Sequence, residues 1–339
     1  MAADGSERAH DATPRARAAP DGPPVIVLGV RRSGTTLLRV MLDGSRELAI
    51  PDETYFVTLL AERHRGPLEK ERFLDDLRRL PRVRELKVPL ADVEARVRDG
   101  MPPGQAIAAV FEAYAGARGK RRWGDKTPLY MQYLPLLERL FPQALFVHLV
   151  RDGRDAAQSF LELPAGLVAR SWPQPRSATG VACQWRTEIL AARRLGERVG
   201  PRRYLELRYE RLVEEPEAEL ERVCAFAALA YDPAMLDYPG KVDLAGKPHQ
   251  ERLRRPPTPG VRDWRREMAP RDVAAFETVA GDVLAELGYE LANPAAATGP
   301  HARARAALVA YGARVAGWRA AAAALRRSPL WARRHRRIA

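Results

Sequence analysis

Val25-Ile-Val-Leu-Gly29-Val-Arg-Arg-Ser-Gly34-Thr-Thr-Leu-Leu38 decides the fold. A short β-prone apolar run ends at a glycine, a polar loop follows, and apolar periodicity resumes from Thr35 to Leu42. This is a strand feeding a helix through a tight loop. Gly29 and Gly34 have the G-x-x-x-x-G spacing of a phosphate loop, in which backbone N–H groups and the helix N-terminus hold an anion. A nucleoside-triphosphate loop would next carry Lys for the β/γ-phosphates and Ser or Thr for magnesium. Here Thr35 takes the lysine position, and positive charge comes earlier, at Arg31 and Arg32. The pattern argues against ATP–magnesium chemistry and for an anion held by an arginine and two hydroxyls. A generic strand–turn–helix with a surface arginine pair is the bland alternative.

The rest of the body alternates in the same way. Leu48-Ala-Ile50 and Arg122-Trp123-Gly124 read as brief strands, Ala144 to Val150 (ALFVHLV) as a strand covered on both faces, and Arg203 to Arg208 as a last strand. Helical patterns occupy 53–63, 68–79, 104–117, 129–140, a stretch from about 153, then 177–198, 216–228 and 270–287. Alternation of this kind predicts an α/β fold, a parallel β-sheet flanked by helices. The Pro- and Arg-rich segment 239–260 reads as a long loop, of the kind that is functional or disordered.

The 339 residues, 46% hydrophobic and 29% charged, suit one large α/β domain with appendages or two small domains. No stretch approaches the roughly 20 consecutive apolar residues of a membrane span. Residues 1–23 lack an apolar core segment and read as a disordered leader rather than a secretory signal. Two cysteines, Cys183 and Cys224, make neither a disulfide framework nor a four-cysteine zinc site, which fits a reducing, cytoplasmic setting. The net charge of +13 suggests nucleic acid until it is located. After Glu290 there is no acidic residue but ten arginines, which leaves +3 on residues 1–290. Basicity therefore belongs to a tail, and no nucleic-acid partner is expected. No H-E-x-x-H, C-x-x-C or G-x-S-x-G occurs, so no metal is expected.

A second signal follows the best strand: Arg151-Asp-Gly-Arg-Asp-Ala-Ala-Gln-Ser159. Arg151 stands at the carboxyl end of a buried strand, where open α/β sheets bind ligands. Ser159 lies two turns into the next helix, so an arginine fork and a hydroxyl can bracket a second phosphate. A solvated R-D-G-R turn is the alternative. With the first motif, the pair implies a nucleotide with two separate anionic ends.

RRSGTTLL (31–38), WGDKTP (123–128), HLVRDGRDAAQS (148–159) and LRYERLV (207–213), in this order, resemble the PAPS-dependent sulfotransferases, most closely the tyrosylprotein sulfotransferase branch and its bacterial relatives. The resemblance covers roughly residues 24–290 and implies a P-loop-kinase-like sulfotransferase fold over 24–291, with PAPS as co-substrate. It implies that Arg32, Ser33, Gly34, Thr35 and Thr36 bind the 5′-phosphosulfate, Arg151 and Ser159 the 3′-phosphate, and that Tyr209 approaches the nucleotide. It implies transfer of a sulfuryl group to a hydroxyl acceptor with release of PAP. A P-loop-type nucleotide or small-molecule kinase is the alternative function.

The tyrosylprotein branch uses a glutamate base in an E-E-T segment, and Asp52-Glu53-Thr54 stands at the corresponding place. Glu53 is the expected general base; a carboxylate complementing the dipole of the helix at 53–63 is the competing reading. Lys126 is similar to the family lysine that stabilises charge in transfer, a task it would share with Arg32 in a loose, in-line transition state. Lys126 can instead simply pair with Asp125 or Glu53. The family's second stabilising serine has no counterpart; by rough alignment His249 or Gln250 falls there. Gly260-Val-Arg-Asp-Trp-Arg265 resembles the family's closing G-x-W-[KR] segment, which makes Arg265 a candidate nucleotide contact.

His148 and Cys224 read as core residues. The acceptor stays open among peptide tyrosine, carbohydrate, lipid and a secondary metabolite. Residues 297–339 form a C-terminal helical extension, with Leu308, Tyr311, Val315, Trp318, Ala322 and Leu325 on one stripe and arginines elsewhere. It can dock on the body, pair with a second protomer, or lie on an anionic membrane as a peripheral contact, with docking or pairing expected ahead of the membrane.

Overall fold

The computed structural model describes residues 22–163, 174–239, 248–260 and 262–327, without the side chains of 248–250 and 325–327. Five strands, β1 (Val25–Leu28), β2 (Leu48–Ala49), β3 (Arg122–Asp125), β4 (Leu145–Val150) and β5 (Tyr204–Arg208), form one sheet in the order β2-β3-β1-β4-β5. All pairings are parallel: Val25 lies opposite both Gly124 and Leu145, Leu48 opposite Arg122, and Phe146 opposite Tyr204. Each predicted strand is present, and β1 and β4 are buried along their whole length, as their unbroken apolar runs require. Gly124 makes the central pairing fit. A Cβ there would stand 2.5 Å from the Val25 carbonyl oxygen.

Parallel strands need crossovers, and helices supply them. After β1 comes α1 (Thr35–Asp43). Between β2 and β3 lie α2 (Phe56–Arg63), α3 (Lys70–Arg79), α4 (Pro81–Glu85), α5 (Leu90–Glu94) and α6 (Pro103–Gly116). Between β3 and β4 lies α7 (Leu134–Leu140), and between β4 and β5 lie α8 (Gly153–Leu161) and α9 (Ala178–Val199). Beyond β5 come α10 (Tyr209–Glu214), α11 (Pro216–Ala227), α12 (Trp264–Glu267), α13 (Pro270–Glu286) and α14 (Ala302–Arg327).

The period-two alternation of a strand divides the core. Ile26, Leu28, Ala49 and Phe146 join Phe56, Phe73, Phe111 and Trp123 on one face, where Phe111 stacks on Trp123 with ring centroids 4.5 Å apart. Val25, Val27, Val147 and Leu149 join Leu38, Met41, Leu220 and Cys224 on the other. A third cluster around Trp185 and Phe276 ties α8, α9 and α13 together. Within it Arg154, fully buried, bonds to Asp152 at 2.7 Å and Glu277 at 2.6 Å. His148 is a core histidine, as read, with Nδ1 2.6 Å from the Tyr204 hydroxyl.

Several boundaries differ from the sequence reading. The helix expected from 53 begins at Phe56, so Glu53 is not in its first turn and the dipole reading of that carboxylate falls. The helix expected over 129–140 divides into a 3₁₀ turn, Pro128–Gln132, and α7, because Pro135 lacks an N–H and fits only a first helical turn. α4 and α5 are too short to show periodicity. In the loop 239–260, residues 240–247 lie outside those described, and Pro248–Arg254 forms a 3₁₀ helix.

The extension docks on its own body. Ala304, Tyr311 and Val315 are buried in the third cluster, with Leu308 and Trp318 partly buried beside them. Arg319 donates to the backbone oxygen of Gln132 and to its Oε1. Among the described residues no helix is long and apolar enough to cross a membrane.

Candidate active site

The carboxyl ends of β1, β3 and β4 converge, and the segments leaving them carry the polar side chains. From β1 the chain turns through Val30 to Gly34 into α1. Ser33 N–H donates to the Val30 carbonyl at 3.1 Å, and Arg32 and Gly34 take left-handed φ values of 71° and 87°. Gly34 is required twice over. A Cβ would enter left-handed space and meet the Tyr209 ring at 2.3 Å. With glycine as N-cap, no side chain caps α1 and no acidic residue stands in its first turn. Its first N–H groups, which lack helical partners, therefore remain available to an anion.

β4 delivers the second motif against this loop. Arg32 Nε donates to Ser159 Oγ at 3.0 Å, and Arg151 Nη1 to the Arg32 carbonyl at 3.2 Å. The Arg151 guanidinium lies 4.5 Å from the centroid of the Tyr209 ring. Trp185 holds the Arg151 carbonyl through its indole N–H at 3.2 Å. Burial first, then the guanidiniums of Arg151, Arg31, Arg262 and Arg252, hold the Arg32 pKa below its ordinary value. Ser33 Oγ and Arg151 Nε are buried without a hydrogen-bond partner. Buried polar groups are normally paired, so crowded cations with unmet donors are suited to an anionic guest.

Across the sheet, β3 and the segment after β2 interlock. Thr54 N–H donates to Thr127 Oγ1 at 3.0 Å, and Thr54 Oγ1 donates to Asp125 Oδ1 at 3.0 Å. Tyr130 OH lies 2.9 Å from Thr54 Oγ1 and accepts from the Val57 N–H at 3.1 Å. This network sets two neighbours face to face: Lys126 Nζ donates to Glu53 Oε1 at 2.7 Å and to Thr36 Oγ1 at 3.2 Å. Lys126 is fully buried. Burial alone would raise the Glu53 carboxyl, but the Lys126 ammonium, its hydrogen bond and that of Tyr55 outweigh it and hold Glu53 below the usual glutamate value. Glu53 is ionised at neutral pH. Of the two partners open to Lys126, the hydrogen bond goes to Glu53.

Arg32, Ser33, Gly34, Thr35, Thr36, Arg151, Ser159 and Tyr209 thus meet on one side, and Glu53 and Lys126 on the other, joined through Thr36. Arg265 is not brought in. It is half exposed and paired with Glu290 at 2.5 Å. The backbone of His249 lies in the 3₁₀ helix, and its side chain is outside those described. Sequence reasoning passed over Tyr55, whose hydroxyl donates to Glu53 Oε2, and the contributions of Arg252 and Arg262 to the field at Arg32. Adjacency to Glu53 was the available signal for Tyr55; the loop arginines had none. Among the described residues no three His, Cys, Asp or Glu side chains are arranged to hold a metal ion.

The family model described as "Sulfotransferase family" matches residues 23–233. The nodulation protein NoeE of Sinorhizobium fredii is 29% identical over 78% of this chain and 65% of its own length. Protein-tyrosine sulfotransferase A of Caenorhabditis elegans is 26% identical over 64% of this chain and 52% of its own. The chain thus spans about half to two thirds of the length of these curated relatives. Among solved structures, the sulfotransferase domain from the Synechococcus PCC 7002 olefin synthase superposes with a TM-score of 0.55 and 28% identity, covering 81% of this chain and 97% of the other.

Proposed function

The chain belongs to the sulfotransferase family, and from that premise we propose that it transfers a sulfuryl group from PAPS to a hydroxyl-bearing acceptor and releases PAP. The observation that carries this reading is the chain of contacts Glu53–Lys126–Thr36, which joins a carboxylate base, a buried cation and the anion loop. Glu53 accepts the acceptor's proton. Lys126 and Arg32 stabilise the charge that accumulates as the sulfuryl group moves, without proton transfer of their own. The N-terminus of α1, with Ser33, Thr35 and Thr36, receives the 5′-phosphosulfate, and Arg151 and Ser159 receive the 3′-phosphate. Tyr209 fixes the Arg151 fork and the close approach at Gly34. The unmet donors at Ser33 and Arg151 fit a ligand bearing these two anionic ends.

The test is a thermal-shift comparison of PAP with ATP–magnesium, followed by PAPS and a panel of hydroxyl acceptors read by mass spectrometry. Stabilisation by PAP and sulfation of an acceptor are expected. Stabilisation by ATP–magnesium alone, with phosphoryl transfer, would establish a kinase instead.

A further inference from the structure

The Tyr55 hydroxyl donates to Glu53 Oε2, the oxygen that Lys126 does not hold. On the sulfuryl-transfer reading, on which this inference rests, an acceptor hydroxyl must donate to that same carboxylate. A phenol of the chain itself therefore occupies the acceptor's seat. Two other features single it out. Its backbone has φ 56°, left-handed space that a bulky aromatic residue rarely enters and that clusters at functional sites. The residue is also 45% exposed, so the seat opens to solvent. The turn is braced by the Phe56 N–H, which donates to the Thr54 carbonyl at 2.7 Å, and Thr54 is itself anchored by Asp125 and Thr127.

We propose that Tyr55 is a self-modification site, sulfated in cis on its phenolic oxygen when PAPS is bound and no other acceptor is present. The phenolic oxygen forms a bond to the sulfur of PAPS, and the bond from that sulfur to the 5′-phosphate oxygen breaks. Its electron pair leaves with PAP. The phenolic proton passes to Glu53 Oε2 and then to solvent. O-sulfotyrosine has no proton to donate to Glu53, so the modification ends after one event per chain and frees the base for other acceptors.

The experiment incubates the full-length protein with PAPS alone, follows intact mass and maps the modified peptide. PAP binding is measured in parallel by thermal shift. One sulfuryl group per chain on Tyr55 is expected, at a rate independent of protein concentration. Tyr55→Phe should carry none. Glu53→Gln should bind PAP yet label about 10²-fold more slowly or worse. Wild-type protein that binds PAP and sulfates an added phenol such as p-nitrophenol, while Tyr55 stays unmodified, overturns the proposal. A Tyr55→Phe variant that turns over faster beside an unlabelled wild type overturns it too, since Tyr55 is then only a plug. Protein that does not bind PAP at all removes the sulfuryl-transfer reading and this one together.

Discussion

The two walls of the site are built on opposite plans. On the loop side, Arg31, Arg32, Arg151, Arg252 and Arg262 crowd together, and Ser33 Oγ and Arg151 Nε are buried without partners. On the base side, Thr54, Asp125, Thr127 and Tyr130 bond to one another, with Asp125 Oδ2 the one buried side-chain atom of the four left without a partner, and Glu53 and Lys126 are already paired. One wall is unfinished until an anion arrives; the other is assembled beforehand. Binding energy and chemical machinery are therefore separable, and substitutions on the two walls should have different signatures.

The largest effect belongs to the base side. Glu53→Gln should lower turnover by about 10²–10⁴ while PAP affinity stays near wild type, because the amide cannot take a proton but touches no phosphate. Single-turnover kinetics and calorimetric PAP titration read the two quantities, and parallel losses would erase the contrast between the walls. Arg151→Ala should do the converse. It removes charge-assisted hydrogen bonds worth about 1.5–3 kcal/mol, or about 10- to 150-fold in Kd, from PAP but not from a ligand lacking the 3′-phosphate. Equal weakening of both ligands would detach Arg151 from that phosphate.

The smallest effect is on stability and sharpens the contrast further. Burial raises the Asp125 carboxyl to about 7, against the hydrogen bonds from Thr54 and Thr127 and the charge of Lys126. Between about pH 4, where the unfolded chain loses this proton, and pH 7, the native state retains it. Stability should therefore fall as pH rises through that window. Glu188, raised to about 7 chiefly by burial, contributes in the same sense. Asp125→Asn keeps an acceptor for Thr54 and removes the titration, so it should flatten part of the Tm–pH slope, leaving the shares of Glu188 and Asp155. A slope unchanged by the substitution would show that Asp125 does not titrate there. On the loop side the guanidiniums stay charged, and Asp155, 3.8 Å from Arg151 and raised to about 6 chiefly by burial, adds to the fall only up to about pH 6.

The loop wall was far more legible in the sequence than the base wall. Its parts are local: a strand, two glycines at fixed spacing, an arginine at a strand end and a serine two turns on. Each rests on a periodicity or spacing within one segment. Tyr209 was reached only through the family resemblance. The interlock of Thr54 with Asp125 and Thr127 joins segments far apart in the chain, and no local pattern announces which threonine meets which carboxylate. Glu53 itself was found by resemblance, and the helix start assigned to it was three residues early because Tyr55 takes a left-handed turn that delays α2. The partner of Arg265 is a long-range matter as well: the chain leaving α13 brings Glu290 to it.

The strand order carries a kinetic corollary. β1 emerges early in synthesis yet forms the middle of the sheet, flanked by β3 and β4 from much later in the chain. Such non-local parallel pairing is slow to form and leaves an apolar run unpaired in the meantime, the situation in which nascent chains aggregate or recruit chaperones. The anion loop and its second arginine meet only when β1 and β4 zip together. Competence to bind nucleotide should therefore appear late in refolding, at the closing of the central pair, and serve as a clock for that event.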